Sequence, residues 1–156
     1  MAPSGRGFGV ACGSYANTYV AMCAEVAVDD SSGAVEVHRV TCAQDMGLVV
    51  NPDGARMQIE GCITMGLGYA LSEEIHFDSG VIAEKNFDAY QIPKFSNVPA
   101  INTILIDAPE RASTAGGEPA IMCVGAVLAN AIHDRTGAWV RHLPMTAAQV
   151  QAALRR

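Results

Sequence analysis

The chain has 156 residues, a formal charge of −6, and 17% charged against 50% hydrophobic side chains. That length fits one domain able to bury a core without metal or disulfide staples, and that hydrophobic share excludes intrinsic disorder. The acidic balance argues against nucleic acid as a partner, no apolar stretch is long enough for a membrane span, and the charged share falls short of the usual ~25%, so the surface is either unusually apolar or meant to be covered.

Met1 to Arg6 has no apolar signal-peptide core behind it. The cytoplasm is the expected location unless a partner or a missing N-terminus carries an export signal. Gly5-Arg6-Gly7-Phe8-Gly9 looks like a glycine-rich loop, but the sequence offers no strand before it and the full dinucleotide pattern is missing. From Thr18 to Val28 the residues alternate, with Val20, Met22, Ala24 and Val26 on one face and Tyr19, Cys23 and Glu25 on the other. Period two reads as a strand. Asp29 to Gly33 is a turn cluster, and Ala34 to Val40 resumes the alternation, giving a β-hairpin with a phase slip at Arg39. That slip is a bulge or a strand covered on both faces.

Asn51-Pro52-Asp53 reads as a helix start, with Asn at the N-cap and Pro in the first turn. Behind it Ile59, Cys62, Ile63, Gly66, Leu67 and Ala70 recur at three-and-four spacing. Gly61 and Gly68, on another stripe, permit close approach by a neighbouring element or a flat ligand. A turn at Asp78-Ser79-Gly80 precedes an irregular aromatic stretch from Phe87 to Pro99, then a short apolar strand at 101–107. The loop Ser113 to Pro119 opens a helix from Ala120 to about Thr136, apolar nearly all round, with Gly137 as its C-cap. Trp139 to Leu143 reads as a last strand, and Thr146-Ala147-Ala148-Gln149 as a capping box starting a terminal helix. The order is β-β-α-β-α-β plus a C-terminal helix. It predicts one α+β domain over 1–156, two layers, with helices packed on a mixed sheet.

Five cysteines, at 12, 23, 42, 62 and 123, show no C-x-x-C spacing and read as buried thiols in a reducing compartment. The four histidines lack i, i+4 spacing, so no metal-ligating set is expected from protein side chains. Glu118, between Gly117 and Pro119, is held at a helix start on an inflexible loop. It either complements the helix dipole or acts as a positioned general base whose pKa is set by burial. Gln58 carries an amide suited to a polar heterocycle edge or a phosphate, and equally suited to a cap or to solvent. Glu60 faces elsewhere.

Read as an ordered set, several strings carry a resemblance. They are Gly13 to Val26, Asp45-Met46-Gly47 with Asn51-Pro52, and Gln58-Ile59-Glu60-Gly61 with Gly66-Leu67-Gly68. Further along come Asn86-Phe87 with Tyr90 and Pro93, then Gly117-Glu118-Pro119, and finally Leu143-Pro144. The chain resembles the C-terminal part of the molybdenum-binding large subunit of the xanthine dehydrogenase and aldehyde oxidase family. Its His38 to Ala43 and Gly116 to Pro119 versions are most similar to the isoquinoline 1-oxidoreductase branch.

The resemblance implies an oxidoreductase that hydroxylates N-heteroaromatics or aldehydes with oxygen taken from water. It implies molybdopterin, plain or as the cytosine dinucleotide, carrying molybdenum on its own sulfurs. Glu118 would be the general base, with Gln58 and Gly117 beside the cofactor. Electrons would leave to [2Fe-2S] clusters on a ferredoxin-like small subunit. The family's upstream cofactor loops have no counterpart here, so the chain is expected to need the upstream part of the large subunit. Alone it would bind little or no cofactor and would self-associate through uncovered apolar faces. A non-catalytic remnant of the same fold that binds a partner subunit is the competing reading.

Overall fold

The structure, a computed structural model, describes residues 5–155; the Met1–Ser4 start lies outside them. A four-stranded sheet is built from β1 (Gly7–Tyr15), β2 (Thr18–Val28), β3 (Val35–Asp45) and β6 (Ala100–Leu105), in that spatial order. The first three strands are antiparallel neighbours and β6 runs parallel to β3. Three helices, α1 (Pro52–Leu71), α2 (Val124–Thr136) and α3 (Ala147–Leu154), complete the α+β domain. β4 (Phe77–Asp78) and β5 (Val81–Ile82) form a separate two-residue hairpin. Its Ser79-Gly80 turn has positive φ at both positions, as a tight hairpin requires.

The sheet's inner face and the helices share one core. Val20, Met22, Ala24, Val26, Val40 and Cys42 meet Ile59, Ile63 and Leu67 of α1 and Val127, Leu128, Ala131 and Ile132 of α2. The slip at Arg39 is a bulge: Glu25 faces Arg39 and Val26 faces Val37, leaving His38 as the extra residue. Asn51 caps α1 by accepting from the Gly54 N–H at 3.0 Å. The Thr146 hydroxyl accepts from the Gln149 N–H at 3.4 Å, while the Gln149 amide contacts His142 instead of closing the box.

Four expectations change. The glycine-rich start is strand β1, not a loop. Its inward glycines let α2 lie on the strand backbone: a Cβ at Gly7 or Gly9 would sit 2.0 Å from a carbonyl oxygen of that helix. α2 also satisfies the strand's free edge, where Asp134 accepts from the Phe8 N–H and Asn130 donates to the Val10 carbonyl. Secondly, 139–143 forms no strand. Trp139 stacks on His133 with centroids 3.9 Å apart, and the Met145 N–H is given to the Ala70 carbonyl, so the segment is fixed without a ladder partner. Thirdly, the second helix begins as a 3-10 turn (Pro119–Cys123) and becomes α-helical only at Val124. Lastly, Cys12 and Cys23 are exposed; only Cys42, Cys62 and Cys123 are buried, and all five are free.

Among the described residues the sheet's outer face carries no helix, and its side chains stand in rows across the strands. The two central rows are Val10-Cys23-Thr41-Asn102 and Cys12-Ala21-Ala43-Ile104, with no charge in either. Charges sit at the ends: Glu25 with Arg6 and Arg39 at one, Asp45 with Arg111 at the other. Val10 is 60% exposed and Tyr19 56%. Unlike the hydrophobic-in, polar-out alternation of many antiparallel sheets, this strand set is uncharged through the middle of both faces.

Candidate functional site

Two loops far apart in the sequence, after β3 and after β6, are joined beside the ends of β2 and β3. Gly47 has φ +69, and a Cβ there would lie 2.1 Å from the Ala112 carbonyl oxygen, so the two backbones touch. Leu48 N–H donates to the Arg111 carbonyl at 3.0 Å and Thr114 N–H to the Met46 carbonyl at 2.9 Å. Arg111 pairs with Asp45, and the Ser113 hydroxyl donates to the Leu48 carbonyl. The Asp45-Met46-Gly47 string thus serves to anchor the segment that leads into Gly116-Gly117-Glu118.

That loop is held from below. The Thr18 hydroxyl donates to the Ala115 carbonyl at 2.6 Å, the Gln44 amide nitrogen reaches the Gly116 carbonyl at 3.4 Å, and the Cys62 thiol donates to the Gly117 carbonyl at 3.0 Å. Burial pushes the Cys62 thiol up, and the nearby Glu118 carboxylate adds to the rise while the Ile121 and Ala120 N–H groups oppose it. A thiol held protonated in this way keeps its proton for Gly117. Beyond the loop, the Tyr69 hydroxyl donates to the Ile121 carbonyl at 2.8 Å, and burial holds that phenol protonated as well.

Glu118 stands at the N-cap of the 3-10 turn with φ −113, and its carboxylate makes no capping hydrogen bond. It is exposed rather than buried against helix dipoles. Gln58, exposed on the second turn of α1, places its amide oxygen 3.6 Å from where a Cβ of Gly117 would sit. Gln58, Gly117 and Glu118 therefore share one place. Three residues along α1 from Gln58, Gly61 has nothing within 4 Å of a built Cβ, whereas Gly66 packs against Val124 at 2.6 Å. Of the α1 glycines, Gly66 serves helix packing and Gly61 faces open space. Gly68 is closed off by Glu73 and Pro93.

Among the described residues no three His, Cys, Asp or Glu side chains gather to hold a metal ion. A cleft of about 600 Å³ between the start of β3 and the segment 91–98 contains none of Gln58, Gly117 and Glu118. Thr18, Gln44, Cys62 and Tyr69 are the contributors that sequence reasoning overlooked. Thr18 and Gln44 did leave a signal, since each is a polar residue in the inward phase of an alternating strand.

Residues 5–99 match the molybdopterin cofactor-binding domain, a stretch that includes Gln58 and stops short of Gly117 and Glu118. A nicotinate dehydrogenase subunit of Pseudomonas putida is 38% identical over 95% of this chain and 12% of its own length. The beta subunit of isoquinoline 1-oxidoreductase from Brevundimonas diminuta is 35% identical over 96% of this chain and 19% of its own. Quinoline 2-oxidoreductase from Pseudomonas putida shares the fold with a TM-score of 0.80 at 24% identity, covering 89% of this chain and 19% of that one. The chain thus spans less than a fifth of the length of these relatives. It belongs to the molybdopterin cofactor-binding domain family, in the lineage of the molybdenum-binding subunits of xanthine dehydrogenase and aldehyde oxidoreductase type.

Proposed function

We propose that the chain is the base-bearing domain of a molybdenum hydroxylase, with Glu118 as general base and Gln58 and Gly117 contacting the pterin cofactor. The observation that carries this is the joint position of the three residues. An uncapped, exposed carboxylate sits on a loop whose carbonyls are tied to the core, beside an exposed amide.

The residues fit such a cofactor. A pterin that brings its own metal ligands asks the protein for amide donors and acceptors and for a flat approach. The Gln58 amide and the open space at Gly61 offer both on one stripe of α1. When bound, the cofactor supplies the redox chemistry of hydroxylation, with oxygen drawn from water. Glu118 takes up a proton on a carboxylate oxygen, and its exposed position lets it pass that proton on to solvent. Gln58 orients the cofactor edge through its amide. The carboxylate needs no rearrangement to act, because nothing within the loop occupies it.

The substrate class is an N-heteroaromatic or an aldehyde. The partners are the upstream part of the molybdenum-binding subunit and a small subunit with [2Fe-2S] clusters. The apolar outer sheet face supports a covering partner. Among the described residues no helix is long and apolar enough to cross a membrane, and a cytoplasmic setting is part of the proposal.

The test is to co-express the chain with a subunit supplying the upstream cofactor loops and to measure molybdenum and turnover. Glu118→Gln should leave the molybdenum content intact and lower turnover by roughly 10²–10⁴-fold, the range for a lost general base. Retained turnover removes the base assignment. A stable, metal-free chain that recruits no such subunit favours the non-catalytic interaction module instead.

A further inference from the structure

Among the described residues Thr18 and Gln44 are the polar side chains found fully buried, at 0% exposure, and both face the Ala115–Gly117 loop. A hydroxyl has one proton, so Thr18, having given it to Ala115, accepts from the Thr114 hydroxyl at 2.6 Å. Gln44 is less comfortable: its amide oxygen is buried with no partner. An apolar residue would avoid that desolvation, so the feature that sets Gln44 apart from such a residue is the donor aimed at Gly116. With Cys62 beneath Gly117, three consecutive carbonyls are met by three side chains from three elements, β2, β3 and α1.

In a trans peptide the N–H points away from the preceding carbonyl. Carbonyls of 115, 116 and 117 turned inward therefore turn the N–H groups of Gly116, Gly117 and Glu118 outward. None of the three donates to a backbone acceptor among the described residues. We infer that Thr18, Gln44 and Cys62 are positioning residues, an internal clamp that aims the Glu118 carboxylate and leaves a row of three backbone donors free for a ligand oxygen. The clamp's consequence for turnover rests on the function proposed for Glu118; its consequence for loop order does not.

The test uses Thr18→Val, which keeps shape and loses the donor, Thr18→Ser, which keeps the donor, and Gln44→Leu. Two readouts are taken. Amide exchange in the full chain is followed at Thr114 and Ile121, whose N–H groups bracket the loop by donating to Met46 and Glu118. In the assembled enzyme kcat and KM are separated. Thr18→Val and Gln44→Leu should speed exchange at both amides about tenfold and lower kcat at least about tenfold with KM little changed. Thr18→Ser should restore both values. Unchanged exchange at Thr114 and Ile121 in both donor-free variants overturns the clamp, as does unchanged kcat in an enzyme that Glu118→Gln silences. Faster exchange in a chain whose turnover does not depend on Glu118 keeps the clamp and removes the base. If Thr18→Val fails to fold, Gln44→Leu decides alone, since it deletes the orphaned oxygen together with the donor.

Discussion

One substitution made at two places on α1 separates packing from open space. Gly61→Ala and Gly66→Ala gain the same helix propensity, about 1 kcal/mol. At Gly61 a Cβ meets nothing within 4 Å, so that gain stands, and the unfolding midpoint should rise by about 2–4 °C for a domain of this size. At Gly66 the new methyl lies 2.6 Å from Val124 Cγ2 and 2.8 Å from its Cβ. Reaching ordinary contact at 3.4 Å needs a shift of 0.8 Å (3.4 − 2.6) between α1 and the first residue of α2. Overpacking of this kind costs about 1–3 kcal/mol, so Gly66→Ala should be neutral to about 2 kcal/mol destabilising. Urea or thermal unfolding of the two variants side by side reads the difference, about 1–3 kcal/mol, which isolates the clash. Equal shifts would refute the packing argument. The pair has a second use: if the cofactor lies against the Gln58 stripe, Gly61→Ala should lower molybdenum occupancy in the assembled enzyme while raising stability. Unchanged occupancy would move the cofactor off that stripe.

Thiol labelling of the folded chain should modify Cys12 and Cys23 quickly and reach Cys42, Cys62 and Cys123 only on unfolding. Burial pushes the Cys42 thiol up to about 12, which removes the reactive thiolate; rapid labelling of all five would contradict the core. In the β2–β3 loop the Asp29 carboxylate accepts from the Ser31 hydroxyl and the Ser32 and Ser31 N–H groups, and these hold it down to about 2 from an ordinary 3.8. A carboxyl depressed in the folded state stabilises above its unfolded pKa and loses that effect as pH falls through the folded one. Asp29→Asn should therefore lower the unfolding midpoint near neutral pH, and the gap to the parent chain should close between pH 3.8 and about 2. A gap that persists unchanged into acid would refute the linkage.

The sequence showed most clearly what depends on local pattern. The β2–β3 hairpin, the α1 start at Asn51 and the Gly137 stop follow from alternation, capping and turn chemistry, which act within a few residues. β1 was hidden because three of its inward positions, Gly7, Gly9 and Gly13, are glycines, the first two chosen for a helix more than a hundred residues away. Pattern reading has no access to that helix backbone. The segment 139–143 misled in the opposite sense: Trp139 and Val140 have strand propensity, but Trp139 stacks on His133 and the segment joins no ladder. Glu118 was visible beside Gly117, and Gln58 as an amide in the first turns of a glycine-bearing helix. What joins them, the Gly47–Ala112 contact and the donors at Thr18, Gln44 and Cys62, is long-range and becomes legible only in three dimensions.

The low charge count also acquires a place in the molecule. Part of it lies on the outer sheet face, where the two central rows hold no charged residue and the ion pairs stand at the rims. The Glu118 loop is secured from the other face, because Thr18 and Gln44 point inward and Cys62 belongs to α1. The donors beneath the loop and the central rows of the outer face therefore lie on opposite sides of the sheet, and the Asp45–Arg111 pair at one rim is the point they share. A partner covering the outer face would complete the apolar surface without pulling on the donors that hold the loop, and charges introduced at Val10 or Ala21 should weaken assembly while leaving loop exchange unchanged. Coupled loss of both would place the partner's contact on the loop itself.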